Sequence, residues 1–306
     1  MKTLVLVICL AGAAMTSAAT MFESPPTFLF QFGHNVLPPP IAGFGLSSTG
    51  DVFVGGTSAV YKFSNGGQFI GSFGSHGAGP GQFDGAADAA IAPNGDIFVA
   101  DQNNRRIEVF DSNFQYQREW SGGFSYIAID PSGQYLVGRF AGSTKTFTVD
   151  GTLVSTWPLF GNGIGVIGKG FAIGPSGHVY MGISGDVWVY DLLGNEITHW
   201  PIAAARAFCP VAVDAHENVY VGIVPTDTTV LVIHKYTSDG ILLTRFGARG
   251  AGPGQFGGQP GDIVVDSQDG VFAQDEEGTA RIEKFGPRVT PTHKTSWGQL
   301  KAIFRE

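Results

Sequence analysis

Four strand-like segments recur in a fixed order along the chain, and the whole set repeats about every forty residues. The first type reads FGLS at 44–47, AAIA at 89–92, IAID at 127–130, FAIG at 171–174, VAVD at 211–214 and IVVD at 263–266. Turn residues such as PNGD, PSGQ and SQDG follow, in which Pro presets φ and Gly accepts a positive one. The second and third types come next: DIFVAD then IEVF in the clearest copy, NVYVG then IHKY in another. The fourth type ends in an aromatic: LFQF at 29–32, IGSF at 70–73, YQREW at 116–120, VSTW at 154–157, EITHW at 196–200 and LLTRF at 242–246. Four strands per unit at this period is the pattern of a propeller blade.

The fourth type is out of step with the others. Its first copy precedes the first innermost strand and has no unit of its own, while the last unit ends at IEKF, 282–285, without a fourth strand. The N-terminal segment is therefore predicted to complete the C-terminal blade, which closes the ring and hides two sheet edges. Pro25 and Pro26 suit entry into an outer strand. The predicted fold class is all-β: a six-bladed β-propeller of four-stranded antiparallel blades over 27–286. The aromatics Phe32, Phe73, Trp120, Trp157, Trp200 and Phe246 share one register and are expected to pack between neighbouring blades.

Composition narrows the function classes. Only 14% of residues are charged, and 45 Gly and 24 Phe suit a turn-rich β protein. A net charge of −8 argues against a nucleic-acid partner, which would need a basic face. The opening MKTLVLVICLAGAAMTSAAT reads as a secretory signal peptide over 1–19: Lys2, an apolar run from Leu4 to Ala14, and cleavage near Ala19. No later segment is apolar enough to span a membrane. The expected location is secreted, or periplasmic within the cell envelope. After cleavage Cys209 is the remaining cysteine, so no internal disulfide forms and the thiol is expected to act as a small buried hydrophobe.

The heptapeptide GAGPGQF occurs at 77–83 and again at 250–256. A phosphate loop would continue with Lys, then Ser or Thr, and open a helix; here Gln-Phe and a strand follow. The stretch FGSHGAGPGQFDGAADAAIAPNGDIFVADQNNRRIEVFD, 73–111, resembles the NHL repeat in nearly full form, and 247–286 is similar to it. The other four units keep the strand pattern but not this loop. The resemblance implies a six-bladed propeller of the TolB-like superfamily. It maps the family's Asp-x-x-Asn-x-Arg turn onto Asp101, Asn104 and Arg106; in the last blade Asp275 and Arg281 remain, one residue further apart. The expected role is structural, with charge-assisted hydrogen bonds holding a turn.

The resemblance also implies that ligands sit at the channel mouth, where loops lead into the inner strands. The residue before each inner strand is Gly43, Asp88, Tyr126, Gly170, Pro210 or Asp262, with Lys169 and Arg206 nearby. Asp88 and Asp262 flank the first blade and face one opening. They read either as solvated loop-end charges or as a pair able to hold a hard cation. With Tyr126, Lys169 and Arg206 they form the candidate ligand-binding set. Among the histidines none occupies an inner-strand start, and His178 and His216 fall in turns at the opposite end, which disfavours a three-histidine zinc site.

The functional expectation is an exported, non-catalytic binding module for a protein, peptide or glycan, with no cofactor other than an optional divalent cation. The alternative is a metal-dependent hydrolase or lyase, lactonase-like, with its site at the mouth. Beyond the propeller, 287–306 reads as a proline-broken linker and a short helix, SWGQLKAIFRE, with Ser296 and Gln299 as its cap.

Overall fold

A computed structural model describes residues 23–33, 35–38, 43–140, 143–158, 170–183, 185–202, 209–223, 232–258, 260–275 and 281–287. Residues 1–19, expected from the sequence to be a signal peptide, and the tail beyond 287 lie outside these residues. The described residues form six four-stranded antiparallel sheets. Each innermost strand lies against those of both neighbouring sheets, all the way round, so the fold is a six-bladed β-propeller.

Blade 1 comprises Phe44–Leu46, Val52–Gly55, Val60–Phe63 and Phe69–Phe73. Blade 2 comprises Ala86–Ile91, Ile97–Asp101, Arg106–Phe110 and Tyr116–Ser121. Blade 3 runs through Tyr126–Ile129, Tyr135–Phe140, Ser143–Thr148 and Leu153–Pro158, and blade 4 through Phe171–Ile173, Val179–Ile183, Asp186–Tyr190 and Glu196–Pro201. Blade 5 holds Val211–Val213, Val219–Gly222, Ile233–Tyr236 and Leu242–Phe246. Blade 6 holds Pro260–Val265, Val271–Asp275 and Arg281–Gly286, and its outer strand is the N-terminal Thr27–Phe32. Phe28 stands opposite Phe285 and Phe32 opposite Ile282, as the strand count requires.

The burial of each strand follows its position. Second strands are covered on both faces by neighbouring blades, and VFVG, VYMGI and VYVG are buried throughout. Outer strands keep one face in water, and Tyr116–Ser121 alternates half-buried and exposed positions with the period of two that a pleat imposes.

The shared aromatic register becomes a chain of contacts between blades. Each outer-strand aromatic packs on an aromatic of the third strand of the next blade. The pairs are Phe32–Phe63, Phe73–Phe110, Trp120–Phe147, Trp157–Tyr190, Trp200–Tyr236 and Phe246–Phe285, with ring centroids 4.9 to 6.4 Å apart. The turn before the fourth strand must pass beneath the preceding aromatic. At Gly240, φ is +88° and a Cβ would sit 2.8 Å from the Trp200 ring, so only glycine fits.

The doubled heptapeptide is a wrapping around an arginine. Ser75–His76 pairs in parallel with Gln82–Phe83, and Ala248–Arg249 with Gln255–Phe256. The loop between turns its carbonyls inward. Arg106 donates to the carbonyls of Ala78 (3.0 Å), Gly79 (3.0 Å) and Gln82 (2.7 Å), and Arg281 to those of Ala251 (3.1 Å) and Gln255 (3.1 Å). The planar guanidinium offers five donors in a fixed fork, which suits a ring of carbonyls better than a point charge would.

Candidate functional site

Asp101, Asn104 and Arg106 lie together in blade 2. Asp101 Oδ2 accepts from Arg106 Nε at 2.9 Å and from Asn104 Nδ2 at 2.8 Å, while Oδ1 accepts from the Asp84 N–H. Asp275 and Arg281 repeat the pair at 2.8 Å in blade 6. Sequence reasoning missed two further members. Glu108 and Glu283, fully buried, pair with Arg106 and Arg281 at 2.5 and 2.9 Å and accept from the N–H of Gly81 and Gly254. Their signal was the Arg-x-Glu shared by RIEVF and RIEKF. Burial pushes the Glu108 carboxyl up to about 7, with Arg106 pulling the other way, and burial also raises Glu283.

At the channel mouth the structure corrects the expectation for Asp88 and Asp262. Neither is a solvated charge preceding a strand. They lie inside Ala86–Ile91 and Pro260–Val265 and are only 6% and 8% exposed. In each strand the register slips beside the aspartate, between Ala86 and Asp88 and between Pro260 and Ile263. Such an irregularity bends a strand and re-aims a side chain. Asp88 Oδ1 accepts from its neighbour Ala89 at 2.8 Å and Oδ2 from Ile127 of blade 3 at 2.9 Å. Asp262 repeats this with Ile263 at 2.8 Å and Phe44 of blade 1 at 3.1 Å. Each carboxylate thus clips its own inner strand to the next blade and replaces lost hydration with backbone N–H groups.

The two clips feel each other. Burial first, then the charge of Asp262, push the Asp88 carboxyl well above the ordinary aspartate range, and its two backbone hydrogen bonds pull it down. The packing is tight: a Cβ on Gly43 would lie 2.5 Å from Asp88 Oδ1. Below them runs an axial cavity of about 230 Å³, walled by small and aliphatic side chains of the inner strands. Among the described residues lining it, the titratable ones are Asp88, Asp262 and Tyr126.

Tyr126, placed at the mouth by its sequence position, does line the cavity. Opposite it on the neighbouring strand stands Arg139, 2% exposed and unforeseen from the sequence, where only an arginine inside YLVGRF marked it. Burial draws Arg139 down to about 10, and Tyr126 and Tyr190 oppose this, so it stays cationic at neutral pH. Lys169 and Arg206 lie outside the described residues. Cys209 is 1% exposed, and burial pushes its thiol up to about 12, so it is packing material rather than a nucleophile.

No family model matches the chain, and no curated protein matches it. Among solved structures the chain is similar to a streptogramin B lyase, with a TM-score of 0.57 and 17% identity over 81% of this chain and 80% of that one. This likeness establishes the fold. In all, 893 chains of solved structures match, and a fold by itself selects no activity.

Proposed function

We propose that the protein is an exported binding module of the NHL-repeat type, non-catalytic, which takes a protein, peptide or glycan at its channel mouth. The observation that carries this reading is the engagement of Asp88 and Asp262. Each oxygen of both carboxylates already accepts a backbone N–H. Carboxylates held by the scaffold in this way serve the geometry of the ring, which supports a structural rather than a catalytic part for the pair. Among the described residues no histidine or cysteine lines the cavity. Tyr126, beside the Asp88 clip and the buried Arg139, offers an amphipathic surface suited to a polar group with an apolar stem. The signal-like start supports export to the envelope or beyond, and the acidic balance speaks against nucleic acid.

A second reading, a metal-dependent hydrolase or lyase, is favoured by one observation: Asp262 raises Asp88, and a divalent cation between them would relieve that repulsion. Two measurements separate the readings. Metal analysis of the purified protein, beside an Asp88→Ala/Asp262→Ala double variant, supports the enzyme if a stoichiometric cation is present and lost in the variant. Screening peptide and glycan arrays with wild type and Tyr126→Ala supports the binding module if a hit is lost with Tyr126. Arrays without hits, together with a bound cation at the clips, overturn it.

A further inference from the structure

At the end of the propeller opposite the mouth, each inner strand turns back into a second strand. Two of these turns hold a non-glycine residue at positive φ: Glu217 at 62° and Asp269 at 61°. They are equivalent positions in blades 5 and 6, so the same backbone presents two side chains differing by one methylene. Glu217 reaches back to blade 4, where Oε1 accepts from the Ser176 N–H at 2.5 Å and Oε2 from the Tyr180 hydroxyl at 2.7 Å. Asp269 turns toward blade 5, where His216 and Tyr220 occupy the places of Ser176 and Tyr180, and it falls short. Its Oδ1 is closed to solvent and accepts no hydrogen bond, and it lies 3.8 Å from His216 Nδ1. The Tyr220 hydroxyl instead lies 3.4 Å from Asp214 Oδ2. A tie complete between blades 4 and 5 is open between blades 5 and 6.

The opening is anionic. Asp214, His216 and Asp269 each offer a donor atom, all within 4.8 Å of one another. Asp214 is 2% exposed; its Oδ1 accepts from the His216 and Asn218 N–H groups and its Oδ2 from Asn218 Nδ2 at 2.9 Å, so it would meet a cation through a remaining Oδ2 lone pair. Nearby among the described residues stand three carboxylates, Asp214, Asp269 and Glu23, against one cation, Lys235, which lies 2.8 Å from Glu23 and 3.5 Å from Asp214. All three carboxylates act on Tyr220, whose phenol is raised first by burial and then by their charges. The cluster borders a polar cavity of about 440 Å³ that His216, Asp269 and Lys235 help to line, which leaves room for water on a bound ion.

We propose that Asp214, His216 and Asp269 form a binding site for a first-row divalent cation of the zinc class, seated where a longer side chain would complete the tie between blades 5 and 6. An imidazole with two carboxylates suits zinc, whereas calcium prefers oxygen donors alone. Donors on a tetrahedral zinc stand roughly 3.3 Å apart, as bond lengths of about 2.0–2.1 Å require. The exposed His216 side chain is free to make that closure.

The test uses the full chain, stripped with EDTA and titrated with ZnCl₂ by calorimetry, with melting followed in parallel. Wild type binds one equivalent and melts higher with zinc. His216→Ala and Asp269→Asn each weaken binding at least about tenfold, the scale expected when a metal's support is removed. Asp269→Glu supplies the missing methylene, melts higher without zinc and loses the zinc response. Asp88→Asn/Asp262→Asn, which keeps an acceptor oxygen at each clip, retains zinc binding, and this separates the site from the channel. Absence of saturable binding in wild type overturns the proposal. So does wild-type affinity in both His216→Ala and Asp269→Asn, or tighter binding of Ca²⁺ than of Zn²⁺.

Discussion

Phe32 of the N-terminal strand packs on Phe63 of blade 1 with ring centroids 5.1 Å apart. This contact does between the last blade and the first what Phe73–Phe110, at 4.9 Å, does between blades 1 and 2. The junction of blades 6 and 1 thus carries the same aromatic contact as the others, while the ring itself is closed inside blade 6 by the antiparallel pairing of Thr27–Phe32 with Arg281–Gly286.

Removing that contact has a measurable consequence. Phe32 is 5% exposed, and Phe32→Ala is expected to cost about 3–5 kcal/mol through lost burial and the cavity left behind. Leu29, on the same strand but 45% exposed, should tolerate Ala within about 0.5 kcal/mol. Urea unfolding of the two variants decides; equal costs would mean that the strand does not seal the ring through Phe32.

Arg106 is the post around which its loop is wound, and Asp101 and Glu108 beside it are fully buried. Arg106→Ala strands both carboxylates, at a cost of about 3–5 kcal/mol. Arg106→Lys keeps the charge without the fork and should recover only part of this. Chemical denaturation of both variants measures it, and full rescue by Lys would refute the role of the fork.

Glu108 makes stability pH-dependent in a stated direction. Its folded value, about 7, lies above the ordinary 4.5, so the folded state holds this proton more tightly. The stability it contributes is complete below about 4.5 and declines as pH rises toward about 7, then levels off. Subtracting the unfolding free energy of Glu108→Gln from that of wild type isolates the effect. The difference should turn against wild type across this window, and a flat or rising difference contradicts the assignment.

The clip at Asp88 separates charge from hydrogen bonding. Asp88→Ala leaves the Ala89 and Ile127 N–H groups without acceptors and should cost about 1–3 kcal/mol for each. Asp88→Asn keeps one acceptor oxygen and removes the repulsion with Asp262, so its loss should be smaller. Thermal melts at neutral pH compare them. An Asn variant as damaged as Ala would show that the carboxylate charge, not the clip, is what the ring needs.

Cys209 should resist a chromogenic disulfide reagent in the native protein and react fully once unfolded, because its thiol is buried and raised to about 12. Rapid reaction under native conditions would place it at the surface.

Much of the fold was legible because its signals are local. The aromatic ends of LFQF, VSTW and LLTRF, the turn pairs between strands and the unmatched first strand all lie within short windows of sequence. The site was legible only in part. Position along the repeat placed Asp88, Asp262 and Tyr126 at one mouth, yet it suggested solvated charges where the structure has buried clips. A slip in register beside each aspartate decides this, and such a slip leaves no pattern in the residues themselves. Arg139 was missed for a related reason: an arginine in a strand looks like surface until the next blade covers it.

The sequence by itself determined how many blades there are, which strand closes them and which glycine loops recur, because periodicity and turn chemistry act between near neighbours. Only the tertiary structure decided what each charge faces. Ile127 meets Asp88, Phe44 meets Asp262, and Asp269 stops a methylene short of its partner, through distances set by the packing of one blade on the next. A gap of that size alters a hydrogen bond completely while leaving the hydrophobic pattern untouched.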